Sequence, residues 1–279
     1  MSEWSIEITP HKKWYDIDFK GLWRYRDLYY MYIKRDIIVQ YKQTVLGPLW
    51  YLIQPVFTTV MYMFVFGGLA GISTDGVPQP LFYMAGIMMW NYFNSVFSAS
   101  SSLFVANAGV FGKVYFPRLI VPLATATSNL LKFLIQLLLF VAVYVFFICV
   151  GEHISPNWTI VTFPLIVIMV GVFGMSSGLI ISSMTTKYRD LNQLVNFGVQ
   201  LYMYATPIIY PLSAAPEKYK DIIMLNPLSP MFEAVRYSWM GCGTISWGGL
   251  LYSFAFTLVL TVFAVVIFSK TERTFMDTV

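Results

Sequence analysis

Long uncharged tracts alternate with short basic ones along this chain. No Asp, Glu, Lys or Arg interrupts Gln43–Thr74, Gly76–Gly112, Phe133–Gly151, His153–Thr186, Leu191–Pro216 or Tyr237–Ser269. A helix that crosses a bilayer needs about 20 mostly apolar residues. The pattern therefore predicts six membrane spans, at Leu49–Ala70, Leu81–Ala106, Val121–Cys149, Ile160–Met184, Leu191–Tyr210 and Leu250–Phe268. None of the tracts breaks into alternating segments of about ten residues, so a β-barrel is excluded. The first 48 residues are polar and hold no short apolar core, so no cleavable signal peptide is expected.

The segment before the first span has a different period. At 100° per residue, Leu22, Tyr25, Tyr29, Ile33, Ile37 and Tyr41 fall within about 80° of one direction. Arg24, Asp27, Lys34, Arg35 and Lys42 occupy the opposite sector. This predicts an amphipathic helix in the cytoplasmic membrane interface, with tyrosines at headgroup level. Gly47-Pro48 ends it, and the chain turns into the bilayer at Leu49.

Composition agrees with a membrane protein. Of the 279 residues, 57% are hydrophobic and 11% charged, where soluble domains carry about 25% charged residues. Cations set the orientation. Lys12, Lys13, Lys20, Arg24, Arg26, Lys34, Arg35 and Lys42 precede the first span, Lys113, Arg118, Lys187 and Arg189 fall in the even-numbered connections, and Lys270 and Arg273 follow the last span. The opposite side holds only Lys218, Lys220 and Arg236. Both termini are therefore expected in the cytoplasm. The net charge of +4 reflects this bias and implies no nucleic-acid partner. Cys149 and Cys242 both fall toward the outer side, where a disulfide is conceivable, although two unpaired thiols are the simpler expectation. His11 and His153 lie far apart and suggest no metal site.

Polar residues recur at helical spacing inside several spans. The second carries Asn91, Asn94, Ser95, Ser98, Ser101 and Ser102 on one face, the third Thr125, Ser128, Asn129, Lys132 and Gln136, and the fifth Gln193, Asn196, Gln200 and Tyr204. Amides and ammonium groups are costly against lipid tails, so these faces should look inward or into a hydrated cavity. Helix–helix contact explains the serines as well, whereas Lys132 calls for a polar partner or an aqueous path. Tyr51, Thr58, Tyr62 and the nearby Phe66 give the first span an aromatic face suited to sugar rings, although Tyr51 also fits an interfacial aromatic belt. Gly171, Gly174 and Gly178 on the fourth span permit close helix packing.

Residues 211–249 are too long for a tight turn. Prolines punctuate two short amphipathic pieces, Glu217–Leu225 and Met231–Met240, neither long enough to cross a bilayer. Both should dip in and return against protein. Glu233 and Arg236, three residues apart, should pair on one helix face. Gly112-Lys113 lacks the spacing of a phosphate loop, so this chain should not bind ATP itself. Asp75, Glu152 and Asp190 are isolated from one another, which argues against a membrane enzyme.

Five segments together resemble a known family. "KRDIIVQYKQTVLGPLWYLIQP" (Lys34–Pro55), "FGKVYFPR" (Phe111–Arg118), "KYRDLNQLV" (Lys187–Val195), "TPIIYP" (Thr206–Pro211) and "LNPLSPMFEAVR" (Leu225–Arg236) are similar to permease subunits of the type-2 ABC exporters of bacterial cell-surface polysaccharides. These include the O-antigen, capsule and teichoic-acid exporters.

The resemblance implies an all-α inner-membrane permease that pairs with a second copy and with two separate ATPase subunits, which bind the ATP and Mg. It implies export of a lipid-linked polysaccharide, O-antigen foremost. It assigns Arg24, Tyr29, Lys34, Arg35 and Lys42 to a gate helix, and Phe111, Lys113, Tyr115 and Arg118 to the ATPase contact. Tyr51, Thr58, Tyr62, Phe66, Lys132, Gln200 and Tyr204 are the candidates for the substrate path, and Glu233 and Arg236 for re-entrant helices at the exit. The alternatives are a type-2 permease for a drug or lipid, and a membrane glycosyl- or phosphotransferase.

Overall fold

The structure is a computed structural model and describes residues 19–42, 46–111, 113–114, 116–152, 154–185 and 190–278. Those residues form helices joined by short loops. Two pieces, α1 (Phe19–Arg24) and α2 (Arg26–Tyr41), precede α3 (Trp50–Tyr62), which continues as π-helix through Met63–Leu69. Next come α4 (Gln79–Ser101), α5 (Leu103–Phe111), α6 (Ile120–Val150) and α7 (Phe163–Thr185), the last entered through a 3-10 turn at Trp158–Thr162. The chain finishes with α8 (Leu191–Tyr204), α9 (Glu217–Leu225), α10 (Leu228–Met240) and α11 (Trp247–Thr278).

Among the described residues, four segments are long and apolar enough to cross a membrane: Trp50–Leu69, Ile120–Val150, Trp158–Thr185 and Trp247–Glu272. These match the first, third, fourth and sixth expected spans. The second departs from expectation, because Ser102 breaks it with φ −97° and ψ 7°. The Ser102 hydroxyl donates to the Ser98 carbonyl at 3.1 Å and competes with the backbone ladder there. At 23 residues α4 has the length to cross, but its polar stripe lowers its mean hydropathy. The fifth is shorter than expected. Helix α8 covers 14 residues, about 21 Å, and ends before Thr206-Pro207, since a residue preceding proline is driven out of the helical region.

Helix α4 is the centre of the packing, buried along most of its length against α7 on one side and α6 on another. The glycines of α7 make that contact possible. A Cβ on Gly178 would stand 2.7 Å from the Phe97 carbonyl oxygen, and one on Gly174 would stand 3.1 Å from that of Phe93. Gly171 is closed in the same way by Tyr92. Helix α11 covers a further face of α7, while α3 rests on α4 at the periphery. The window within Trp158–Thr185 is 61% buried, against 11% for Trp50–Leu69. So α7 is an internal strut and α3 an outer wall.

Two apolar clusters result. The larger surrounds α4 and reaches α10, with Phe82, Tyr83, Met88 and Phe232 fully enclosed. The smaller joins Tyr32, Phe104, Phe111, Phe116, Ile120 and Phe268. Left-handed glycines end two helices, Gly151 (φ +97°) after α6 and Gly241 (φ +70°) after α10, as C-terminal caps require.

Candidate functional site

The polar stripes of α4 and α8, read separately in the sequence, face each other. Trp90, Asn94 and Ser98 from α4 and Asn196, Val199, Gln200, Met203 and Tyr204 from α8 line a cleft of about 440 Å³. That volume lies in the range of small-molecule sites, about 300–1,000 Å³. Its walls mix an indole, a phenol and three side-chain amides. Amides donate and accept hydrogen bonds at once, which suits hydroxyl-rich ligands.

Of the substrate-path candidates, Gln200 and Tyr204 line this cleft. Tyr62 reaches its rim, donating its hydroxyl to Met203 Sδ at 3.7 Å and packing edge-on to Phe66 and Tyr83. Tyr51 and Lys132 lie together elsewhere, the Lys132 ammonium 5.9 Å from the Tyr51 ring centroid. Lys132 Nζ donates to Asn129 Oδ1 at 2.7 Å, so it has a polar partner of the kind the sequence called for. Thr58 joins neither group, its hydroxyl donating to the Gln54 carbonyl one turn back. Six of the seven candidates thus fall into two groupings, and Thr58 stands apart from both. Asn94 and Asn196, also in the lining, were visible in sequence only as helix-face residues, and Trp90 was not singled out there.

The interfacial helix is corrected in two respects. It is broken at Tyr25 (φ −94°, ψ 24°), and part of its apolar face packs against the protein. Leu22, Tyr25, Tyr29 and Ile33, joined by Leu28 and the buried Tyr32, pack against the smaller cluster. The Tyr29 hydroxyl and Thr127 Oγ1 of α6 are 2.6 Å apart. Arg24, Lys34 and Lys42 are exposed. Arg35 donates to Asp36 Oδ1 at 2.8 Å and lies 4.4 Å over the Tyr32 ring.

The connection after α5 also differs from expectation. Lys113 and Val114 are exposed. Phe111 is buried against Phe104 and Phe116, and its side chain supports the connection from within. Arg118 turns inward as well, toward Glu272 of α11. Tyr115 lies outside the described residues.

Glu233 and Arg236 pair as their spacing predicts, at 3.1 Å, on the buried helix α10. Arg236 does more than neutralise Glu233. Its Nη2 donates to the Ile208 carbonyl at 2.6 Å, its Nη1 to that of Tyr210 at 3.3 Å, and its guanidinium carbon sits 3.9 Å over the Phe82 ring. Gly86 of α4 provides the space, since a Cβ there would meet the Ile208 carbonyl at 2.8 Å. One side chain thus fixes the segment after α8 to both α10 and α4. Burial pushes the Glu233 carboxyl upward from its ordinary value, and the Arg236 charge opposes that shift. In the loop between α3 and α4, Asp75 accepts from the Ser213 hydroxyl at 2.7 Å and so also holds the segment after α8.

The described residues thus form a helical membrane protein: four segments are long and apolar enough to cross a bilayer, and a polar cleft lies between two further helices, α4 and α8. The chain belongs to the ABC-2 type transporter family, whose signature matches residues 27–240. It is 32% identical over 253 residues to the O-antigen export system permease protein RfbA of Klebsiella pneumoniae, covering 90% of this chain and 94% of that protein. It is 25% identical to RfbA of Myxococcus xanthus, over 78% and 83% of the two chains. It is also 23% identical to the polysialic acid transport protein KpsM of Escherichia coli, over 86% and 91%. Family and spans together describe a multi-pass protein of a bacterial inner membrane.

Proposed function

We propose that this chain is the permease subunit of an ATP-driven exporter that carries a lipid-linked polysaccharide, O-antigen in the first instance, across the cytoplasmic membrane. The cleft between α4 and α8 carries the reading. Amides and aromatic rings at membrane depth suit a glycan, which offers hydroxyls to the former and C–H faces to the latter. An apolar drug or lipid gains nothing from Asn94, Asn196 and Gln200. The names of the relatives, two O-antigen permeases and a polysialic acid transporter, point the same way.

In this reading α4 and α8 are the second and fifth of six spans, α9 and α10 are re-entrant on the outer side, and both termini are cytoplasmic. A second copy encloses the path. Gln193, Asn196 and Gln200 are exposed on α8, and side-chain amides facing lipid tails are costly, so another protein surface or water must cover them. Two ATPase subunits bind below, against Lys113 and Val114, and supply the ATP and Mg chemistry. The segment from α1 through Lys42, with Arg24, Lys34, Arg35 and Lys42 exposed, guards the cytoplasmic access of the lipid diphosphate.

The test is reconstitution. Permease and its ATPase in proteoliposomes should move a lipid-linked glycan on addition of ATP, and Asn196→Leu with Gln200→Leu should abolish that movement while ATP hydrolysis continues. Transport of a lipid without glycan, indifferent to both substitutions, would replace this reading with a lipid or drug permease.

A further inference from the structure

Helix α11 continues well past the length a bilayer requires. Its 32 residues run about 48 Å, against a hydrocarbon core about 30 Å thick. Phe268 is fully buried on it, stacked on Phe104 of α5 with ring centroids 5.0 Å apart. One turn further along, Glu272 meets Arg118. The Arg118 Nη1–H donates to the Glu272 backbone carbonyl at 2.6 Å, and Nε stands 3.7 Å from Oε1 of the same residue. The second arm, Nη2, donates to the Phe111 carbonyl at 3.4 Å, and the guanidinium carbon lies 5.4 Å from the Phe111 ring centroid.

Phe111 is the last residue of α5. Carbonyls at a helix C-terminus lack intrahelical partners, and the helix dipole favours a cation there. Arg118 therefore caps α5 and binds α11 with one side chain. Its planar fork serves two carbonyls together, which a lysine point charge does not. The side chain is 12% exposed, too little to offer the guanidinium to a soluble partner, whereas Val114 on the same connection is 57% exposed.

We propose that Arg118 is a positioning residue: it fastens the exposed turn at Lys113 and Val114, together with the end of α5, to the last turns of α11. A push on that turn then displaces α11 as a body instead of being absorbed within the connection. The inference rests on the reading that the ATPase docks at this turn. The aromatic stack of Phe268 on Phe104 already joins α11 to α5, and Arg118 adds the connection itself to that union.

The experiment uses the complete transporter, permease with its ATPase, and reads three quantities: ATPase recovered with the permease, ATP turnover, and glycan exported per ATP. Arg118→Gln should keep the ATPase bound and hydrolysing, and lower export per ATP about ten-fold, the size of effect expected from losing a charged hydrogen bond. Arg118→Lys should restore part of the loss. A chain ended after Ser269, which lacks the Glu272 acceptor, should show the same uncoupling, and adding Arg118→Gln to it should cause no further loss. A folding defect would instead lower the amount of complex and leave export per ATP unchanged, which overturns the proposal.

Loss of the ATPase from Arg118→Gln would make Arg118 a direct contact, which also overturns it. Normal export per ATP by the shortened chain has the same consequence. The double variant Lys113→Glu with Val114→Glu, which puts two like charges on the exposed turn, serves as the control for the underlying reading and should release the ATPase. If it does not, the docking surface lies elsewhere and the positioning role falls with it.

Discussion

Arg236 and Glu233 stand one turn apart on α10 and meet at 3.1 Å, with 1% and 2% of their side chains exposed. The guanidinium also holds two carbonyls of the segment after α8, so the two partners are unequal. Arg236→Met should leave a buried carboxylate without its cation and the Ile208 and Tyr210 carbonyls without their donor, at a cost of about 3–5 kcal/mol. Glu233→Gln keeps an acceptor for Arg236 and should cost less. Adding Glu233→Leu to Arg236→Met should recover only part of the loss, because the carbonyls of Ile208 and Tyr210 stay orphaned. Thermal unfolding in detergent, followed by tryptophan fluorescence, checks the order. Full recovery in the double variant would show that the ion pair alone carried the cost.

The glycines of α7 predict a graded response. Gly178→Ala puts a Cβ 2.7 Å from the Phe97 carbonyl and should destabilise by about 1–3 kcal/mol through overpacking. Gly174→Ala meets backbone at 3.1 Å and should cost less, as a shift of a few tenths of an ångström relieves that contact. Gly198 on α8 has open space around it, and Gly198→Ala should be neutral or stabilising by up to about 1 kcal/mol. Should Gly198→Ala instead disrupt assembly while leaving the fold intact, α8 packs there against the second copy.

The two cysteines should behave differently. Both are free thiols, Cys149 exposed and Cys242 buried. Burial pushes the Cys242 thiol up to about 11, which leaves almost no thiolate at neutral pH. One equivalent of maleimide should react with the folded protein and two after denaturation. An impermeant maleimide added to intact spheroplasts should label Cys149, at the end of α6 that the proposed topology puts outside. Labelling only after lysis would invert the orientation.

The α2 helix is tested through its charges. Single exposed charge contacts are worth about 1 kcal/mol or less, so one change should be silent. Lys34→Glu with Arg35→Glu should leave the protein inserted and assembled, because the packed face of α2 (Leu28, Tyr29, Tyr32 and Ile33) is untouched. Export of the lipid-linked glycan should be lost. Normal export by this double variant would reduce α2 to an anchor.

Membrane residence and the short amphipathic pieces before the last span were legible in sequence because each depends on local composition. An uncharged run of sufficient length partitions into a bilayer whatever it packs against, and Glu217–Leu225 is helical where its pattern placed it. The Glu233–Arg236 pair was legible for the same reason, being set by a three-residue spacing on one helix. What only the tertiary structure decided depends on which surfaces meet. The sequence placed Asn94 and Gln200 on polar faces, but the packing of α4 and α8 made them one cleft. Tyr29 and its neighbours read as lipid-facing until α6 covered them, because apolar side chains bury equally well against protein or membrane. Phe111 and Arg118 read as partner contacts until α11 came beside them: a basic residue in a cytoplasmic loop carries no local mark of the carbonyl, 154 residues away, that turns it inward.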